Sequence, residues 1–193
     1  MPGGDAARPD EGRPMRADAK RNYERIVATA KELFAADGAD VPMDDIAKKA
    51  CVGAGTLYRH FPTREKLIEA VYRDEISQLA DRASVLHDEL PPWAALEAWL
   101  GEHVTWIVER HKLAGILKES IDAGSETFQY CQMRLREATG LLVTTAQEAG
   151  LVRPDVVGVD VLRLGHAAGL AVKNCPPEEG KRVLDIILDG LRA

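Results

Sequence analysis

Residues 43–61 read MDDIAKKACVGAGTLYRHF, and within five positions they carry a hydroxyl (Thr56), a phenol (Tyr58), a guanidinium (Arg59) and an imidazole (His60). These groups suit phosphate oxygens and base edges of a nucleic acid. A further cation, Arg64, follows one turn later, placed to reach the same backbone. Ile46, Ala47, Ala50, Val52, Leu57 and Phe61 recur at helical spacing and would turn inward, leaving the polar set on or near the outer face. Ala47 and Ala50 are small enough for two helices to cross closely. Two short helices joined by a turn of three to four residues containing Gly53 make a helix-turn-helix, whose second helix enters the major groove. On spacing alone, an αα-hairpin inside a bundle fits the same pattern.

The elements needed to hold this segment are legible around it. Tyr23, Ile26, Val27, Ala30, Leu33 and Phe34 form one apolar stripe, which predicts a first helix over about 17–36, with Gly38 as its C-cap. The second helix spans about 43–50, with Asp44 and Asp45 in its first turn, where the helix dipole favours negative charge. Pro62 ends the third, and Thr63 caps a fourth from Arg64 to about Leu90. Helices are then expected over about 92–110, 112–122, 125–149, 155–173 and 178–191, punctuated by Pro91-Pro92, Gly150, Pro154 and Pro176-Pro177. No stretch alternates as a strand does. The fold class is therefore all-α with about nine helices. The expected domains are a flexible arm over 1–16, a helix-turn-helix domain over 17–63 and a helical bundle over 64–193. Arg8, Arg13 and Arg16 in the arm suit a minor groove, but the interspersed acids favour a plain solvated tail. Lys48 and Lys49 read as a solvated face.

Composition excludes several classes. The 193 residues are 46% hydrophobic and 29% charged, a globular balance. No apolar run approaches the ~20 residues of a membrane-spanning helix. Three scattered cysteines give neither a disulfide framework nor zinc spacing, so a reducing cytoplasm is expected, with no metal and no membrane. The net charge of −6 argues against non-specific nucleic-acid coating. Residues 1–66 nevertheless balance 12 basic against 11 acidic side chains, whereas 67–193 hold 13 against 20. A bundle enzyme or metal carrier would need inward sets such as Glu-x-x-His, and none precedes any of the five histidines. Neither a phosphate-binding glycine loop nor a nucleophile elbow is present. No catalytic residue and no cofactor are expected.

Residues 21–76, RNYERIVATAKELFAADGADVPMDDIAKKACVGAGTLYRHFPTREKLIEAVYRDEI, closely resemble the DNA-binding domain of TetR-family transcriptional regulators. The LYRHF segment followed by PTREKL is the most specific part. The resemblance implies a homodimeric repressor that binds a double-stranded operator and releases it when a small-molecule effector binds the C-terminal domain. It also implies positions. Ala54, Gly55 and Thr56 fall where the recognition helix meets the groove, and Tyr58 and His60 at phosphate contacts. Arg64 matches the basic residue opening the fourth helix. Met43 and Asp44 match a helix start that approaches phosphate through its amides. Three residues depart from the pattern: Cys51 where Gly is frequent, Gly53 where Ser is common, and Ala54 where a polar base-contacting residue is usual. Methyl contact with thymine or DNA shape then carries more of the readout.

In the C-terminal part, DVVGVDVLRLGHAAGLAVKN is apolar nearly all round, which demands cover on every side. With the last helix it offers a homodimer interface over about 155–191, with Gly158, Gly165 and Gly169 permitting close approach. An intramolecular core is the other reading. The effector face is expected on the helix over 92–110, where Trp99, His103 and Trp106 share a stripe with Arg110, suited to a flat, weakly polar molecule. Ordinary core packing with a hydrogen-bonded His103 competes with it. Phe128, Tyr130, Cys131 and His166 are further lining candidates. A constitutive DNA-binding protein without an effector would share all these features.

Overall fold

The computed structural model describes the backbone of residues 12–38, 40–120 and 125–193, and the side chains of 17–38, 40–109 and 125–193. The described residues form eight helices in the order α1 (Gly12–Asp37), α2 (Met43–Lys49), α3 (Ala54–His60), α4 (Arg64–Glu89), α5 (Pro92–Ser120), α6 (Glu126–Glu148), α7 (Gly158–Val172) and α8 (Pro177–Leu191). The expected arm lies mostly outside the described residues, and α1 already starts at Gly12. One expected break is absent. The helices read over 92–110 and 112–122 are a single α5 as far as Ser120. Glu109, Arg110, His111, Lys112, Leu113 and Ala114 include neither proline nor glycine, so nothing at that point interrupts the backbone ladder. None of the described helices is long and apolar enough to cross a membrane.

The chain divides into two compact units, Met1–Leu67 and Ile68–Ala193. In the first, α1 buries Ile26, Val27, Ala30 and Phe34, and α2 buries Ile46 and Ala47. Gly38 closes α1 with φ +82°, a left-handed conformation that suits glycine. The second unit has its core where α4, α5 and α6 meet, around Leu79, Ala83, Leu96, Trp99, Leu100, Leu142 and Ala146. Trp99 is fully buried, and its Nε1–H donates to Leu79 O at 2.8 Å.

α7 lies against α5 along a seam of glycine. A Cβ on Gly165 would come within 2.7 Å of Leu100 Cδ1 and 2.8 Å of His103 Nδ1. One on Gly169 would meet Ile107 Cβ and Cγ2 at 2.6 Å. Gly158 does the same against the α6 backbone, with its missing Cβ 2.9 Å from Gly140 Cα. All three glycines thus serve close packing inside the chain. α7 is largely apolar, broken by Asp160, Arg163 and His166, and buries Val161, Gly165, Ala168, Gly169 and Val172. Its opposite side exposes Leu164, Ala167, Leu170 and Ala171, and α8 exposes Ile186 at 71%.

Candidate nucleic-acid interface

The local geometry of the first unit follows from a few residues. The Asp45 and Ile46 amides donate to Pro42 O at 3.1 and 3.2 Å, which starts α2. Met43, first in α2, points its side chain into the core, while Asp44 is exposed. The chain then turns through Cys51 with φ +52°, and the Val52 amide donates back to Ala47 O at 3.0 Å. That explains the sequence departure at Cys51 in physical terms. The position demands the left-handed region that glycine adopts freely and cysteine does not. Gly53, by contrast, is an ordinary extended N-cap of α3 (φ −66°, ψ 145°). Nothing in its backbone calls for glycine.

α3 is anchored from beneath by Leu57 and Phe61, both essentially inaccessible. Phe61 packs on Tyr23 of α1 with ring centroids 5.1 Å apart, and His60 stands edge-on to Tyr23 at 6.1 Å. The opposite face is open. Ala54, Gly55 and Arg59 are exposed, Thr56 is half-buried and Tyr58 is 45% exposed. A Cβ built on Gly55 meets nothing within 4 Å. Thr63 Oγ1 accepts from the Lys66 amide at 3.4 Å and so caps α4. The same hydroxyl holds the exposed Glu65 carboxyl below its usual range. Arg64, half-buried, opens α4. Lys49 Nζ lies 3.5 Å from Glu32, so that lysine belongs to an α1–α2 ion pair.

In the second unit the residues expected at an effector face separate. Trp99 and His103 stack at 5.4 Å inside the core. The His103 imidazole, 1% exposed, is pushed down to about 4 by burial and then by neighbouring His166, which itself sits exposed on α7. Among the described residues its Nδ1 has no hydrogen-bond partner, and Gly165 of α7 packs against it. Phe128 is half-buried and lines a shallow groove on α6 with Gln132, Met133 and Arg136. Trp106 and Cys131 do converge, through Tyr72 of α4. The Tyr72 and Trp106 rings lie 5.8 Å apart, and Cys131 perturbs the Tyr72 hydroxyl. Arg110 falls outside the described side chains. Tyr72 and buried Glu75 were missed from sequence. The available signal was a carboxylate on the apolar stripe Ile68, Tyr72, Glu75, Leu79 of α4, since acids are almost never fully buried without a reason.

Comparisons with known proteins agree with this anatomy. Residues 26–71 match the family described as bacterial regulatory proteins, tetR family. Residues 91–193 match the C-terminal domain described as transcriptional regulator SbtR-like. The crystal structure of a TetR transcriptional regulator from Streptomyces coelicolor is 34% identical, with a TM-score of 0.74 over 88% of this chain and 98% of that one. A TetR regulatory protein from Mycobacterium vanbaalenii is 34% identical, with a TM-score of 0.72 over 93% and 100%. The TetC protein of transposon Tn10 from Escherichia coli is 29% identical over 94 residues, 48% of either chain. The chain spans about half the length of this and the next curated relative that it matches.

Proposed function

The chain belongs to the TetR family of transcriptional regulators, which carry an N-terminal DNA-binding domain, and from that premise we infer that it is a homodimeric repressor released from a pseudo-palindromic operator by a small molecule. The observation that carries this reading is the solvent-facing side of α3, where Thr56, Tyr58 and Arg59 stand out from a helix pinned beneath by Leu57 and Phe61. Tyr58 and His60 contact phosphate, as does Arg64. Ala54, Gly55 and Thr56 meet base edges, with Arg59 beside them, and the amides of Met43 and Asp44 approach the backbone. Ala54 and Gly55 offer no side-chain donors, so thymine methyls and groove shape supply much of the specificity.

Dimerisation is supported by the apolar residues that α7 and α8 leave exposed, Leu164, Leu170 and Ile186. Two copies place two α3 helices on successive turns, about 34 Å apart. Each half-site then binds with the effective concentration set by the other. α4 supports coupling, because it runs unbroken from the first unit into the second. An effector that favours the non-binding arrangement by roughly 10²–10⁴-fold, about 3–5.5 kcal/mol, suffices to empty the operator.

The test begins with capture of genomic fragments by the purified protein. A gel shift at fixed salt then compares wild type with Tyr58→Ala and His60→Ala. Each variant is expected to lose at least tenfold in affinity while keeping its helical circular dichroism. Unchanged binding by both rejects the assignment of α3.

A further inference from the structure

Four polar side chains of the second unit meet at one corner, away from the glycine seam. Tyr72 and Glu75 stand one turn apart on α4, Trp106 comes from α5 and Cys131 from α6. The two indoles of α5 differ. The Trp99 Nε1–H is satisfied by Leu79 O, whereas the Trp106 Nε1–H is cut off from solvent and has no acceptor among the described residues. An indole nitrogen only donates, and native proteins seldom bury such a donor without an acceptor. The Tyr72 ring lies 5.8 Å from the Trp106 ring. Burial, with help from Cys131 and Glu75, pushes the Tyr72 hydroxyl up to about 12. Burial pushes the Cys131 thiol up to about 11. Both groups are neutral at physiological pH. The corner therefore presents one fixed donor, one hydroxyl able to donate or accept and two aromatic faces, beside Glu75, which is 4% exposed.

Resting on the effector-released reading above, we propose that this α4–α5–α6 corner receives the polar end of the effector, and that the effector is an uncharged ring compound bearing a hydroxyl group. Its oxygen accepts from Trp106 Nε1–H, its proton is donated to the Tyr72 oxygen, and its ring lies against Tyr72 and Trp106. An anionic head is disfavoured, because the buried corner strips its hydration and returns one fixed donor, the Trp106 Nε1–H.

Calorimetric titration of the full chain with 2-naphthol, 2-naphthoate and naphthalene tests this, since the three share a ring system and differ in the head group. The expected result is one 2-naphthol per chain, bound at least tenfold more tightly than either other compound. Trp106→Phe and Tyr72→Phe, each checked for an unchanged melting profile, are each expected to weaken 2-naphthol about tenfold and to leave naphthalene unchanged. No binding of 2-naphthol, equal or tighter binding of 2-naphthoate, or unaltered 2-naphthol affinity in both variants overturns the proposal. Binding with this residue dependence, but without release of captured DNA, upholds the site and instead refutes effector control through it.

Discussion

Gly169→Ala isolates the packing that holds α7 in place. Replacing a mid-helix glycine by alanine normally stabilises by about 0.8–1 kcal/mol, through lower backbone entropy in the unfolded chain. At Gly169 the new methyl would lie 2.6 Å from Ile107 Cβ and Cγ2 and 3.2 Å from Val104 O, so α5 and α7 must move apart by roughly 1 Å. Overpacking of this kind costs about 1–3 kcal/mol, which outweighs the propensity gain by about 0.5–2. Gly101→Ala is the matched control. It too is mid-helix, but its methyl would meet only Leu184 Cδ2 at 3.8 Å, an ordinary contact. Urea unfolding at fixed protein concentration is expected to place Gly101→Ala above wild type and Gly169→Ala below it, the two separated by about 1–3 kcal/mol. In thermal melts that is about 2–12 °C for a chain of this size. Adding Ile107→Ala to Gly169→Ala removes the Cγ2 clash, so the pair should destabilise by less than the sum of the singles. A Gly169→Ala protein as stable as Gly101→Ala refutes the seam.

Three further outcomes follow from named residues. His103 is pushed down to about 4 from 6.5, so the folded protein binds its proton more weakly than the unfolded chain does. Its contribution to stability is constant above pH 6.5 and is lost as pH falls from 6.5 through 4, about 3 kcal/mol in all; urea midpoints across that range should show the slope, and His103→Leu should lack it. Cys51→Gly relieves a left-handed residue worth about 1–2 kcal/mol, offset by about 0.4–1 of unfolded-state freedom; a net rise of about 0.5–1 kcal/mol is expected, and Cys51→Val should lower stability instead. Leu164→Asp, at an exposed position of α7, should convert a dimer to monomer in sedimentation velocity without changing the helical spectrum. A variant that remains dimeric removes α7 from the interface.

How far the sequence carried differs by region. The reading head was legible because local signals agree there: the Ile46–Leu57–Phe61 pattern, Pro62 and the Thr63 cap each point to the same short helices. The C-terminal unit was legible as helices, but not in its contacts. Trp99, His103 and Trp106 share a stripe in sequence, yet Trp99 and His103 enter the core while Trp106 turns toward Tyr72. Periodicity gives a face to a helix but does not say which neighbour covers it. The glycines of α7 show the same gap. Their spacing announces close approach, and only the packing against Leu100, His103 and Ile107 identifies the partner as α5. The join at 110–112 was misread because a boundary was inferred without a breaking residue to cause it.

Hydroxyl-radical footprinting of a captured operator tests the central claim most directly. Two α3 faces on one symmetric dimer predict two protected stretches related by a dyad, with centres one helical turn apart, about 10–10.5 base pairs. Both should fade together when Tyr58→Ala protein is used at the same concentration. A single asymmetric protected stretch, or a footprint that Tyr58→Ala leaves intact, contradicts the account.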